Sequence, residues 1–153
     1  MPARDSVSGL QDHLGFWLRY VSNHVSHAFA AKLAKKGVTV AEWAAMRALY
    51  GRDPLPPSRL AAEMGMTRGA ITKLADRLVA KSLLSRKASA EDGRAQTIAL
   101  TAKGRALVPE LARLADANEE EFFAHLSSAE RKTLMRLLKR LVERGAMKVL
   151  PVD

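Results

Sequence analysis

The 153-residue sequence predicts a mainly α-helical chain with one small β-wing, and three observations predict it. Through both ends of the chain, apolar residues recur at three- and four-residue steps, the period of an amphipathic helix. Two shorter segments of the same kind, 58–65 and 67–82, meet at a tight turn. A polar hairpin bracketed by apolar runs follows directly, at 83–100. Helix, tight turn, helix and two-stranded wing together make a winged helix-turn-helix, whose use is to lay one helix in the DNA major groove. The expected organisation is a winged helix-turn-helix domain at 37–101, with a helical dimerisation region built from 1–36 and 102–150.

Composition narrows the function. There is no cysteine, so disulfides, thiolate metal sites and cysteine redox sensing are excluded. The sequence has no run of 18 apolar residues, and no apolar signal core follows its polar start; a cytoplasmic protein without a membrane partner is expected. The net charge is +9. Residues 52–105 hold eleven Lys/Arg against five Asp/Glu, whereas residues 106–153 hold eight of each. The excess therefore concentrates on the helix-turn-helix and wing, as an electrostatic footprint on a polyanion would.

The first helix is expected over 8–35, with Leu10, Leu14, Trp17, Leu18, Val21, Val25 and Leu33 on one stripe. Lys35, Lys36 and Gly37 end it, cations first and then a residue free to turn left-handed. At about twice the usual helix length, one end should pack outside its own globule, most economically in a dimer. Thr39 and Glu42 read as a capping box opening a second helix to about Tyr50, with Trp43, Ala44, Met46 and Leu49 inward. Leu55, between prolines, can form only a short edge strand or an extended lead-in. Ser58 is expected to cap the third helix, which carries Leu60, Ala61 and Met64 inward.

Gly65 can take the positive φ that redirects the chain, and Thr67 caps the fourth helix. There Ile71, Leu74, Ala75 and Leu78 lie on one side; Gly69, Thr72, Lys73, Asp76, Arg77 and Ala80 lie opposite, with Arg68 at the leading end. The opposite face is small, hydroxylated and basic, suited to a groove ~12 Å wide. Wing strands are expected at 83–87 and 94–100, with Asp92 and Gly93 as the turn. Arg94 at the tip is placed to enter a minor groove, and Asp92 to hold Arg94 or Arg86 by a charged hydrogen bond. Thr101 caps a fifth helix to about Leu126, in which Gly104 and Pro109 predict a bend or a frayed first turn. Its stripe is Leu107, Leu111, Leu114, Ala115, Phe122 and Leu126, beside a solvated acidic run at 119–121. Ser127 and Glu130 form a second capping box, opening a sixth helix with Leu134, Leu137, Leu138, Leu141 and Val142 inward and Gly145 at its end.

SRLAAEMGMTRGAITKLADRLVAKSLLSR and EDGRAQTIALTAKG, spanning helix-turn-helix, wing and the start of the fifth helix, resemble the MarR (multiple antibiotic resistance regulator) family. The likeness extends over nearly the whole chain. It implies homodimers built from the first, fifth and sixth helices, binding a near-palindromic double-stranded operator, usually as repressors released by a small effector. By motif position it places Thr67, Arg68, Thr72 and Lys73 in the major groove and Arg94 in the minor groove, with Asp92 orienting the arginine. One departure is Ser82, where the family often has glycine.

The candidate DNA-binding set is therefore Ser58, Thr67, Arg68, Gly69, Thr72, Lys73, Arg77, Arg86, Asp92 and Arg94. His13, Trp17, Tyr20, His24, Trp43 and Met46 are candidates for a small aromatic or anionic effector, against ordinary packing as the plainer reading. His24 and His27 lack a third ligand in sequence, so no metal site is expected, and no cofactor. No nucleophile elbow, phosphate-cradling glycine loop or His–carboxylate motif is present, so an enzyme is not expected. The alternative function is a helical adaptor whose basic winged helix binds an acidic protein.

Overall fold

The computed structural model describes residues 7–89 and 95–148. A 3-10 turn, Leu10–Asp12, leads into α1 (Leu14–Ala34). Next come α2 (Val40–Leu49), α3 (Pro57–Met64), α4 (Arg68–Ala80), β1 (Leu84–Ala88), β2 (Gln96–Leu100), α5 (Ala102–Phe123) and α6 (Ser128–Arg144). β1 and β2 pair antiparallel with Leu84 opposite Leu100 and Arg86 opposite Ile98. Leu55 adds the short edge that its flanking prolines permit: its N–H donates to Ile98 O at 3.1 Å and its carbonyl accepts from Ile98 N at 2.8 Å.

The core lies in the winged domain. Met46, Leu60, Met64, Ile71, Leu74, Leu78 and Ile98 are sealed together, joined by Leu33 from the end of α1 and Val108 and Leu111 from α5. The four apolar residues expected on α4 are all buried, and the expected polar face is exposed throughout. Gly37 and Gly65 take left-handed φ values of 71° and 65°, as the sequence required. Thr67 Oγ1 accepts from Ala70 N at 3.1 Å and Thr101 Oγ1 from Gly104 N at 3.0 Å, so both expected caps are formed.

Several local expectations are corrected. Ser58 does not cap α3: Pro56 is the N-cap and Pro57 the first helical residue, where a missing N–H costs nothing, so Ser58 falls inside the first turn. α1 starts at Leu14, because Gly9 and Asp12 close the 3-10 turn ahead of it. Thr39 Oγ1 does accept from Glu42 N, but the Glu42 side chain turns inward to Lys81 instead of back to complete the box. α5 ends at Phe123, short of Leu126, with Pro109 inside the helix. Gly145 does end α6 as its C-cap, at an ordinary φ of −82°, and the left-handed residue is Ala146 at φ 50°. The apolar residues of α6 are not inward: none of its residues is buried within the described chain. The exposure of Leu10, Leu14, Trp17, Leu18 and Val21, by contrast, agrees with the expectation that one end of the first helix lies outside its own globule.

Ser82 sits at φ 59°, so the chain keeps the left-handed backbone that a glycine would adopt freely. A Cβ costs ~1–2 kcal/mol there, partly offset by the freedom glycine has when unfolded. Ser82→Gly is therefore expected to stabilise by about 1 kcal/mol, raising Tm by roughly 2–4 °C in a thermal melt.

Ser127 and Glu130 form the complete capping box: Glu130 N donates to Ser127 Oγ at 3.1 Å and Ser127 N to Glu130 Oε1 at 2.9 Å. The backbone hydrogen bond from Ser127 holds the Glu130 carboxyl below its usual value of 4.5. A carboxyl depressed in the folded state stabilises above its unfolded pKa, and the contribution fades as pH falls through the folded pKa. Amide exchange in the first turn of α6 should accelerate as pH drops below 4.5, beyond the intrinsic rate change. Glu130→Gln should remove that dependence.

Candidate nucleic-acid interface

The start of α4, the start of α3 and the wing converge on one exposed face. Between them lies a cleft of about 340 Å³ lined by Pro56, Pro57, Ser58, Arg68, Ile71, Thr72, Ala95 and Gln96. Thr67 caps one N–H of α4, and the first turn, with its remaining free N–H groups and positive dipole end, begins at the exposed residues Thr67, Arg68 and Gly69, favouring an anion. Thr72 Oγ1 donates to Arg68 O at 2.8 Å, which fixes the hydroxyl against the helix while the residue stays exposed. Gly69, beside it, has open space where a Cβ would be.

The cations divide into two kinds. Arg68, Lys73, Arg77 and Lys87 are exposed and form no ion pair with any described residue. Arg86 is different: its Nη2 donates to Asp76 Oδ1 at 2.5 Å, linking β1 to the exposed side of α4. Of the two arginines offered for Asp92, Arg86 thus already has a carboxylate partner on α4. Asp92 and Arg94 themselves lie outside the described residues. Arg52 is also committed, through two bonds to Glu63 of 2.6 and 3.1 Å that hold the Glu63 carboxyl below its usual range and brace the turn before α3.

The candidate effector residues do not form one cluster. His13, Trp17, Tyr20 and His24 follow one exposed face of α1. Tyr20 and His24 stack at 4.8 Å, and Trp17 lies 6.3 Å from Tyr20. Local bonds fix the polar atoms: Trp17 Nε1 donates to Gln11 O, His13 Nδ1 to Gly9 O and His24 Nδ1 to Tyr20 O. Trp43 packs edge-on against Phe29 at 6.4 Å, and Met46 is fully buried in the core. Periodicity missed Phe16, which sits against Trp17 at 5.2 Å, and the buried polar residues Glu42 and Asn118. Asn118 Nδ2 donates to Val25 O at 3.1 Å, and Asn118 Oδ1 accepts from Lys32 Nζ at 2.9 Å, stitching α5 to α1. An asparagine within a helical apolar stripe was the one available signal.

Comparisons with known proteins agree with this fold. A model described as MarR family matches residues 36–95. The chain is 35% identical over 132 residues to the "Putative transcriptional regulatory protein for hcr operon" of Thauera aromatica, covering 84% of this chain and 78% of that one. It is 28% identical to the HTH-type transcriptional regulator MhqR of Bacillus subtilis, covering 80% of this chain and 82% of the relative. Among solved structures, a probable transcriptional regulator from Pseudomonas aeruginosa superposes with a TM-score of 0.76 at 32% identity, covering 87% of this chain and 99% of that one. A mutant MarR from E. coli complexed with operator DNA does so at 0.76 and 25% identity, covering 84% and 93%. Fold, motif and overall likeness converge: the chain belongs to the MarR family of transcriptional regulators.

Proposed function

We propose that the protein is a homodimeric regulator that binds a near-palindromic operator through α4 and the wing, represses transcription there, and is released by a small molecule. The observation that carries the reading is the outward face of α4, where Arg68, Lys73 and Arg77 have no ion-pair partner among the described residues and surround the small residues Gly69 and Thr72. Thr67, Arg68, Thr72 and Lys73 enter the major groove, Ser58 and Arg77 approach the flanking phosphates, and Arg94, oriented by Asp92, reaches the minor groove. The E. coli MarR relative held in complex with operator DNA supports this use of the fold.

Dimerisation draws on the apolar surface left uncovered at both chain ends. Leu14, Trp17, Leu18 and Val21 on α1 and Leu134, Leu137, Leu138, Leu141 and Val142 on α6 are all exposed in the single chain. A hollow of about 210 Å³ between the end of α5 and α6, lined by Phe123, Leu126, Leu134, Met135 and Leu138, offers a seat for a partner's apolar side chains. Contiguous exposed apolar side chains of this kind support a protein interface here. An aromatic or anionic effector is assigned to the face carrying Trp17, Tyr20 and His24, next to the proposed dimer contact.

Binding to duplex DNA from the protein's own upstream region tests the reading. It should be sequence-selective and salt-sensitive, with half-sites one helical turn apart, ~34–36 Å. Lys73→Ala should alter base preference, costing ~1–3 kcal/mol at one position, whereas Arg94→Ala should weaken binding to all sequences and flatten the salt slope. A monomer indifferent to sequence, retained instead by an acidic protein, would replace this reading with the adaptor.

A further inference from the structure

One ammonium group holds the end of α4. Lys81 Nζ donates to Gly37 O at 2.7 Å, to Glu42 Oε1 at 3.0 Å and to Glu42 Oε2 at 2.7 Å. A lysine ammonium carries three protons, and these acceptors match them in number. Gly37 lies in the turn that ends α1, Glu42 in the first turn of α2, and Lys81 is the C-cap of α4. The Glu42 residue is 1% exposed, and its ion-pair partner among the described residues is Lys81. The backbone just beyond is pinned as well. Thr101 Oγ1 donates to Ser82 O at 2.7 Å, Thr101 N to Leu83 O at 3.1 Å and Lys103 Nζ to Lys81 O at 3.2 Å.

We propose that Glu42 and Lys81 form the joint that fixes the angle between α4 and the α1 stem, and so selects operators by the separation of their half-sites. This rests on the dimeric DNA-binding reading above. A buried ion pair adds little net stability, because desolvation offsets the attraction. What it supplies is direction: an apolar contact lets helices slide, whereas three hydrogen bonds from one nitrogen do not. The lever is long. The 13 residues of α4 span about 20 Å, so a rotation of about 10° at Lys81 moves the Thr67 end by about 3 Å. Successive base pairs rise by about 3.4 Å, so a rotation of that size matches the axial part of a one-base-pair change in half-site separation, though not the turn of about 35° that comes with it.

Two substitutions remove the joint without stranding a buried charge. Glu42→Met fills the site with an apolar side chain and frees Lys81, whose side chain is already 40% exposed, into water. Glu42→Gln keeps the shape and drops the charge. A duplex selected by the wild-type chain from a random-sequence pool would be remade with one base pair inserted or deleted between half-sites, and binding followed by fluorescence anisotropy. Wild type should lose about tenfold in affinity on either change. Glu42→Met should lose about threefold or less, with affinity for a single half-site unchanged, and Glu42→Gln should fall between. A role in stability alone would lower affinity equally at every spacing, in step with the folded fraction, and that result would overturn the proposal. So would an intact tenfold preference in folded Glu42→Met, or in Glu42→Gln if the methionine variant does not fold. Failure of the wild-type chain to select any sequence would instead remove the DNA-binding reading itself, before a variant is made.

Discussion

Replacing Gly104 with alanine is expected to destabilise the chain by about 3 kcal/mol, although alanine is the better helix former by about 1 kcal/mol. A Cβ on Gly104 would lie 2.3 Å from Leu83 O and 3.2 Å from Leu100 Cδ2. The first is a backbone atom that cannot swing aside, and it is already engaged by Thr101 N at 3.1 Å. Relief therefore requires α5 to withdraw from the junction of α4 and the wing, breaking the Thr101 bonds to Ser82 and Leu83. Thermal melting should show Tm lower by roughly 6–12 °C for a chain of this size. A rise in Tm would mean that helix propensity dominates and that the close approach of α5 to Leu83 is misplaced.

Lys81→Met should be nearly as costly, and its contrast with Glu42→Met is the more telling measurement. Removing the lysine leaves a carboxylate that is almost wholly buried with no cation beside it, a loss of about 3–5 kcal/mol in general. The low end, about 3 kcal/mol, is expected here because water can follow where the 40% exposed lysine side chain was. Removing the glutamate strands nothing, and Glu42→Met should change stability by less than about 1 kcal/mol. Urea titrations of the two variants check this, and similar losses in both would show that the pair is held mainly by its own attraction.

Much of this architecture was legible in the residues. α4 could be read face by face because its period is clean and Gly65 and Thr67 fix where it starts. The inner face of the second wing strand followed from Ile98 and Leu100 alternating with Thr97 and Ala99. Ser58 misled because the prolines ahead of it already supply a helix start. Glu42 misled more deeply: its spacing from Thr39 suits a capping box, and only the position of Lys81, 39 residues away, turns the side chain inward. The apolar face of α6 was recognised as a stripe, but sequence period cannot tell whether the covering surface belongs to the same chain. Trp43 and Met46 share the aromatic and sulfur chemistry of a ligand pocket, yet Met46 is held in the core, since composition does not distinguish a pocket wall from packing.

The 17 residues of α6 have one further consequence. In a protein most of a helix's stability comes from packing its apolar face, and none of the residues of α6 is buried within the described chain. If a second copy supplies that cover, order in the stem follows mass action, and the melting midpoint should climb with total protein concentration. In a cell, scarcity alone would then loosen the scaffold while each reading head stayed intact, making copy number a control input alongside any chemical signal.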